Sequence, residues 1–285
     1  MHGMRPCLLF VLLAIFASGC QSDPSRHAVA KPILTVMTYN IRVGHGPDKK
    51  PTDEGIAANL DAIGDFIVSE NADIVLLQEV DRNTKRSGNI DEIARLAERT
   101  KMEYAFSKAI DLEGGEYGIA ILSKGPLSNV ERHLLYKADY SKAVPKVPEW
   151  HSEQRSALCA TAHTAFGDVQ VIDTHLGITE DQRAKQLEEI AALIKGSDPN
   201  VPLLFGGDLN ATPHDAALAP IRAMLKDGWK SAAVRAAKHP TFSATKPDRT
   251  IDYIFHNDAL TMDNIAVQSV QLSDHLPVTA RLRAK

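Results

Sequence analysis

Cysteine, aromatic residues and surplus positive charge are all scarce in this chain. It contains three cysteines in 285 residues, 6% aromatic residues and a formal net charge of −4 at pH 7. Three cysteines cannot form a dense disulfide framework, so stability must come from a hydrophobic core. A tight, non-specific nucleic-acid binder usually has a basic surplus, which this chain lacks in bulk, although a local basic groove stays compatible with the count.

Long hydrophobic runs are also missing, apart from a short one near the N-terminus. Arg5 precedes an apolar run from Leu8 to Phe16. This run is too short to span a bilayer, because a spanning helix needs roughly 20 apolar residues. A basic start, a short apolar run and small residues before a cut site predict an export signal over residues 1–19. Its removal would take the formal charge from −4 to −5, since Arg5 leaves with it.

The residues that follow the apolar run resemble a bacterial lipobox. Small residues from Ala17 to Gly19 stand directly before Cys20. The resemblance implies cleavage before Cys20 and a diacylglycerol anchor on its thiol, which would hold the exported protein in the cell envelope. Gln21 in place of Asp favours the outer membrane. A plain secretory signal with an incidental cysteine is the alternative.

The remainder of the chain is predicted to be a short tether and one domain. Residues 20–31 are small and polar, which is typical of a flexible linker, and residues 32–285 contain the regular patterns. Cys159 would be the last unmodified cysteine, and we interpret it as a small buried hydrophobic residue without chemistry. We expect the protein to be a monomer.

Hydrophobic periodicity predicts a mixture of helices and strands. Apolar residues recur at helical spacing over 56–67, 93–97 and 187–194. Short apolar or alternating runs predict strands at 33–41, 73–78, 104–110, 117–123, 156–165, 168–174, 201–205, 251–256, 265–270 and 278–282. Hairpins combined with helical crossovers fit an α/β fold, a four-layer αββα sandwich of two mixed β-sheets packed face to face with helices outside.

Polar residues of a few types end the apolar strands. Carboxylates in such positions normally face water, a metal or a hydrogen-bond partner, because burying an unpaired charge costs several kcal/mol. One polar strand end carries no information, but several of the same chemical types suggest a shared cleft. The residues concerned are Asn40, Glu79, His175, Asp208, Asn210, Asp274 and His275.

Seven short segments make the resemblance to a known family specific. The chain resembles the endonuclease/exonuclease/phosphatase superfamily, and the matching segments occur in family order across residues 33–282. They are Thr38–Ile41, Leu77–Val80, Tyr117–Ser123, Thr174–Leu176, Gly207–Asn210, Ile251–Ile254 and Ser273–Pro277. A single tetrapeptide would be weak evidence, whereas seven in order are strong.

The resemblance implies a role for each site residue. Glu79 is expected to bind a divalent metal directly, with Asn40 beside it in the metal shell. Asp274 is expected near the metal, either as a second-site ligand or through a water molecule. Mg²⁺ suits such a small set of oxygen ligands, and Mn²⁺ is possible.

The same resemblance assigns the catalytic residues. Asp208 and Asn210 are expected to orient the attacking water and contact the phosphate. Asp252 would fix the ring of His275, and His175 would contact a phosphate oxygen or assist the leaving group.

The chemistry of phosphoester hydrolysis calls for these residue types. A phosphodiester is already anionic, so its charge must be neutralised during attack, and a base must take the proton of the water. Either Asp208 or the Asp252–His275 pair could be that base, and the sequence leaves both open. Arg155 and Arg249 could also touch phosphate, although exposed or ion-paired arginines are the simpler interpretation.

The substrate is the least determined part. The inositol 5-phosphatase branch is disfavoured, because the segment Lys246–Asp252 departs from its signature. The DNase I-like branch is disfavoured because its enzymes carry disulfides, which a single unmodified cysteine cannot form. An aromatic hairpin that enters membranes has no support in the sequence either. Two hypotheses remain for an enzyme: a phosphodiesterase or phosphatase of lipid head groups or small phosphoesters, and a cell-surface nuclease. A third, of another class, is a catalytically silent binding protein on the same scaffold.

Overall fold

Two six-stranded β-sheets form the centre of the computed structural model, which describes residues 32–47, 52–142, 146, 148–231 and 239–285. The predicted export signal and tether, residues 1–31, lie outside the described residues. Lys31–Lys285 forms one compact unit. In the part of the chain that is described, no helix combines the length and apolar character needed to cross a membrane.

Twelve strands and five helices follow one another along the described chain. The strands are β1 (Leu34–Asn40), β2 (Ile74–Arg82), β3 (Glu103–Leu112), β4 (Gly115–Ser123), β5 (Leu127–Leu134), β6 (Ser156–Thr164), β7 (Gly167–His175), β8 (Leu203–Asp208), β9 (Lys226–Asp227), β10 (Asp252–His256), β11 (Leu260–Val267) and β12 (Val278–Ala284). The helices are α1 (Asp53–Ser69), α2 (Glu92–Thr100), α3 (Glu180–Gly196), α4 (Ala219–Met224) and α5 (Gly228–Ser231).

Both sheets are mixed. The first has the order β11-β12-β1-β2-β4-β3, and the second has the order β5-β6-β7-β8-β10-β9. In each sheet two central strands are parallel, β1 with β2 and β7 with β8, and their neighbours are antiparallel. The crossovers between the parallel strands contain α1 and α3, as parallel pairing requires.

Three clusters of buried side chains define four layers. One cluster joins the facing surfaces of the two sheets, with Leu76 of the first sheet and Leu204 of the second among its members. A second lies between the first sheet and helices α1 and α2. The third covers the outer face of the second sheet with α3 and α4. The predicted αββα sandwich is therefore confirmed.

Several element predictions need correction. Strand β2 continues past Gln78 to Arg82, and β11 occupies 260–267 rather than the predicted 265–270. The prediction missed β5, β9, α4 and α5. Cys159 is only partly buried, although burial and the charge of Glu131 still raise the pKa of its thiol to about 12. That pKa leaves no thiolate for chemistry at neutral pH.

Candidate active site

Asp208 is the centre of a cluster at one edge of the sandwich. It ends β8, is 2% exposed, and lies opposite His175 in the parallel pair with β7 and opposite Asp252 in the antiparallel pair with β10. Its Oδ2 accepts a hydrogen bond of 3.0 Å from Asn40 Nδ2. Because β1 belongs to the first sheet, this bond joins the two sheets at the site.

Two histidines approach the same oxygen of Asp208. His175 Nε2 lies 3.4 Å from Oδ2 and His275 Nε2 lies 3.5 Å from it. The Nδ1 atom of His275 is 3.1 Å and 3.0 Å from the two oxygens of Asp252. His275 therefore lies between two carboxylates, and Phe242 covers its ring at a centroid distance of 4.8 Å.

Charges in this buried cluster shift the protonation of its members. Burial lowers the pKa of His275, but the negative charges of Asp252 and Asp208 outweigh burial and raise the pKa to about 10. Burial raises the pKa of Asp208 to about 7, even though the His275 cation opposes the shift. His275 is therefore a cation at neutral pH, and Asp208 exchanges a proton near neutrality.

Asn210 is held by its backbone as well as by its side chain. Its N–H donates to Asp208 Oδ1 at 3.0 Å, and its Nδ2 donates to the carbonyl of Leu176 at 3.0 Å. The residue has a φ of +49°, in the left-handed region that asparagine tolerates better than most residues. These contacts direct its amide to the side of Asp208 where His175 lies.

A bulge in β2 directs Glu79 into the site. The pairing of β2 with β4 shifts between Gln78 and Val80, and Glu79 has a φ of +54°. Leu77 and Val80 both belong to the cluster under α1 and α2, so Glu79 is the extra residue between them. A bulge of this kind re-aims one side chain, and here the Oε1 atom of Glu79 accepts a 3.0 Å hydrogen bond from Asn40 Nδ2.

Asp274 stands beside Glu79 at the more open side of the cluster. Its Oδ2 is 3.3 Å from Arg42 Nε. Burial raises the pKa of Asp274, and the negative charge of Glu79 acts in the same direction while the His275 and Arg42 cations oppose it. A cation shared between Glu79 and Asp274 would relieve this repulsion.

The residues present fit a divalent metal at Glu79. Among the described residues no hydrogen bond or ion pair reaches its Oε2, and a second carboxylate lies nearby. Asn40 faces Glu79 with its amide nitrogen, while its oxygen accepts from the backbone N–H of Arg42 at 3.0 Å. Asn40 therefore orients the carboxylate in this geometry. The donor set is all oxygen, as Mg²⁺ prefers.

A second group could hold a metal by its spacing alone. The ligand atoms of Asp208, Asp252 and His275 all lie within 4.8 Å of one another. A coordinating imidazole is neutral, however, so a metal here would have to displace the proton that Asp252 and Asp208 hold on His275. Glu79 is the better metal position.

The structure thus brings together all eight residues singled out from the sequence. Two further groups lie at the site. Tyr117 had no predicted role, and Arg155, whose simpler interpretation was an exposed or ion-paired arginine, is paired with Glu153. Arg155 is 7% exposed and its NH1 lies 3.1 Å from His175 Nδ1, and Tyr117 Oη accepts from Arg155 NH1 at 3.4 Å. Tyr117 opens one of the seven matching segments, which was a usable signal. Arg249 is exposed and paired with Asp248, as the simpler interpretation predicted.

The sequence model of the Endonuclease/Exonuclease/phosphatase family matches residues 37–275, and the chain belongs to this family. A relative named "Uncharacterized protein YbhP", from Escherichia coli (strain K12), is 25% identical over 237 residues, which cover 78% of this chain and 88% of that protein.

Solved structures share the fold. The endonuclease/exonuclease/phosphatase from Beutenbergia cavernae superposes with a TM-score of 0.69 at 25% identity, covering 88% of this chain and 72% of that chain. The mannosyl-6-phosphatase Bt3783 of Bacteroides thetaiotaomicron has a TM-score of 0.68 at 17% identity, with 87% and 99% covered. Truncated TDP2 of Caenorhabditis elegans has a TM-score of 0.65 at 19% identity, with 88% and 98% covered.

Proposed function

We propose that this chain is a metal-dependent phosphoester hydrolase, a phosphodiesterase or phosphatase that acts on lipid head groups or small phosphoesters. The observation that carries the proposal is the convergence on Asp208 Oδ2 of Asn40, His175 and His275, with Glu79 one hydrogen bond away through Asn40. Carboxylate, amide and imidazole groups in one buried cluster provide a base, donors and a metal ligand for the same phosphorus centre.

Asp208 is the group that takes the proton of the attacking water. It is an acceptor whose pKa of about 7 is close to neutral pH, the range in which a general base works best. His275 carries its own proton, held by Asp252, and so cannot be the base in this state. Its role is to offer a positive N–H donor to the negative charge that grows on the phosphoryl oxygens.

The remaining groups bind the metal or orient the substrate and the other site residues. Glu79 would bind the metal, with Asn40 fixing the carboxylate and Asp274 close by, and Mg²⁺ or Mn²⁺ bound there would supply a Lewis acid that neutralises phosphate charge. Asn210 offers an amide donor beside Asp208, and His175 offers an imidazole. The net charge of −4 supports a small or head-group substrate rather than a long polyanion.

The fold itself accommodates such a reaction. The structural neighbour from Bacteroides thetaiotaomicron is named as a mannosyl-6-phosphatase, so a phosphate monoester is cleaved by a protein of this architecture. This likeness concerns the fold, and the choice of substrate proposed here rests on the net charge and on the predicted lipid anchor.

The test is metal-dependent hydrolysis by the full chain after treatment with a chelator. We expect turnover of bis-p-nitrophenyl phosphate or p-nitrophenyl phosphate on adding Mg²⁺ or Mn²⁺. His275→Gln should lower kcat at least about 100-fold, because it removes a charged donor to the developing anion. Glu79→Gln should in addition weaken metal binding measured by calorimetry. His163→Gln, a partly exposed histidine at the far end of β6, is the matched control.

A panel of phospholipids, sugar phosphates, DNA and RNA then separates the substrate hypotheses. Selective cleavage of DNA or RNA would replace the proposal with a nuclease. Turnover that needs no metal, or full activity in His275→Gln, would contradict the mechanism. Absence of turnover on the whole panel, together with absence of metal binding, would leave a silent binding protein as the better account.

A further inference from the structure

Arg155 contacts the site through the Nδ1 atom of His175. It directly precedes β6 and is 7% exposed, and its NH1 atom lies 2.7 Å from Glu153 Oε1 and 3.1 Å from His175 Nδ1. The same nitrogen donates to Tyr117 Oη at 3.4 Å. A guanidinium has only donors and keeps its charge at any pH a protein meets. Any atom that forms a hydrogen bond with Arg155 must therefore be the acceptor.

His175 faces a potential donor at each ring nitrogen. Arg155 NH1 approaches Nδ1, and Asn210 Nδ2 lies 3.1 Å from Nε2. A neutral imidazole can accept at one nitrogen only, and a doubly protonated ring can accept at neither. One of the two contacts is consequently not a hydrogen bond.

The surroundings decide between the two. Asn210 Nδ2 already donates to the Leu176 carbonyl, whereas a charge-assisted bond from buried Arg155 is roughly twice as strong as a neutral one. Nε2 also has an acceptor available, because Asp208 Oδ2 lies 3.4 Å away. Nδ1 therefore accepts from Arg155, and Nε2 carries the proton.

We infer that Arg155 is a positioning residue that holds His175 as the neutral tautomer with its proton on Nε2. A second proton, on Nδ1, would face the guanidinium cation of Arg155. The ring of His175 therefore stays neutral. Nε2–H then faces Asp208 and, if the proposed function holds, donates to a phosphoryl oxygen of the substrate. On this inference His175 is a hydrogen-bond donor and cannot act as a cationic general acid.

The tautomer can be observed without any activity. In the full chain labelled with ¹⁵N-histidine, long-range proton–nitrogen spectra show which ring nitrogen carries the proton, and His175→Gln identifies the signal. We expect a protonated Nε2 and an unprotonated Nδ1. Arg155→Met should give a mixture of tautomers, and Arg155→Lys, which keeps a charged donor, should restore the native pattern.

Arg132→Met is the matched control for these spectra. Arg132 lies on the neighbouring strand β5 and donates its Nε to the Phe106 carbonyl, so its loss removes an arginine without touching His175. A proton on Nδ1 of native His175, or a doubly protonated ring at neutral pH, would overturn the inference. If Arg155→Met does not fold, the native spectrum and Arg155→Lys decide the matter.

Kinetics separate this inference from the proposed function. Arg155→Met should lower kcat roughly 10- to 100-fold, as loss of an orienting partner does, with a smaller change in KM and partial recovery in Arg155→Lys. The expected tautomer without hydrolysis of any phosphoester would remove the proposed function and leave the inference standing. Hydrolysis with a different tautomer would remove the inference alone.

Discussion

The carboxylate of Asp208 reaches the centre of the site because the residue before it has no side chain. Gly207 has a φ of +131°, a conformation that L residues rarely adopt. A Cβ atom at this position would lie 1.9 Å from the carbonyl oxygen of Thr174 on the neighbouring strand β7. Glycine therefore allows β7 and β8 to approach just where His175 and Asp208 are placed side by side.

Gly207→Ala is expected to lower the free energy of unfolding by at least about 2 kcal/mol. Backbone strain and overpacking each cost roughly 1–3 kcal/mol, and neither backbone strand can move far inside the sheet. Urea unfolding at constant pH measures the change. Gly196→Ala is the control, since a Cβ there meets nothing within 4 Å. Equal losses in the two variants would show that crowding at Thr174 does not matter.

Glu79 illustrates why single positions were easier to predict than their geometry. Its type and its place after an apolar run were visible in the sequence, whereas the bulge that gives it a φ of +54° was not. The bulge depends on the pairing with β4, which lies some 40 residues further on. Local alternation alone would have placed Glu79 under the helices, on the face that Leu77 and Val80 share.

At the scale of the elements, a further buried polar contact links the two sheets. Gln78 of β2 donates from Nε2 to Asp173 Oδ1 of β7 at 2.7 Å, and also to Thr38 Oγ1 of β1 at 3.2 Å. The second oxygen of Asp173 is buried without a hydrogen-bond partner among the described residues. Burial therefore raises the pKa of this carboxyl well above its usual range, against the opposing effect of Gln78.

This raised pKa predicts a dependence of stability on pH. Well below about pH 4 Asp173 is protonated in both the folded and the unfolded state, so its ionisation does not affect stability. As pH rises, the Asp173 carboxyl ionises first in the unfolded chain. The contribution of Asp173 to the free energy of unfolding therefore falls by about 1.4 kcal/mol per pH unit until the pKa of the folded state is reached. Asp173→Asn cannot ionise, so its stability relative to the native protein should increase from pH 5 to pH 8.

Urea unfolding of both proteins across that range measures the effect. Asp111→Asn, which replaces an exposed carboxylate on β3, controls for the loss of one negative charge. A stability difference between Asp173→Asn and the native protein that stays constant with pH would contradict the raised pKa of the Asp173 carboxyl.

The errors in the predicted elements have local physical causes. Strand β5 lies at a sheet edge and is largely polar, with Glu131, Arg132 and His133 in its second half, so it lacks an apolar pattern. In β11 the pairing with β12 shifts between Met262 and Asn264, which breaks the two-residue alternation in its first half. Period-2 patterns identify strands with one regular buried face, and neither strand has one.

For the whole molecule, the sequence predicted the architecture and identified the polar residues that end the strands. Several polar strand ends of the same chemical types suggested a shared cleft at one edge, and the parallel pairing of β7 with β8 places His175 opposite Asp208 there. Arg155 and Tyr117 could not be placed in this way. Their contact joins β4 of the first sheet to the start of β6 in the second, and that distance depends on how the sheets pack.

The predicted lipid anchor would determine where the active site meets its substrate. The anchor residue, Cys20, lies outside the described residues. A diacylglycerol on Cys20 would hold the protein at a membrane, since each buried methylene contributes about 0.8 kcal/mol and two chains anchor stably. The tether over residues 20–31 would then leave the domain near phospholipid head groups. That position would favour head-group phosphoesters as substrates over distant soluble ones.

Cys20→Ser tests this anchor in a bacterial host that is fed a labelled fatty acid. We expect the native full chain to incorporate the label and to sediment with membranes, and Cys20→Ser to do neither. Cys7→Ser, which changes a cysteine inside the predicted export signal, is the matched control and should behave as the native chain does. An unlabelled native protein in the soluble periplasmic fraction would instead establish the plain secretory signal. The site would then meet soluble phosphoesters, and the argument for head groups would lose its spatial basis.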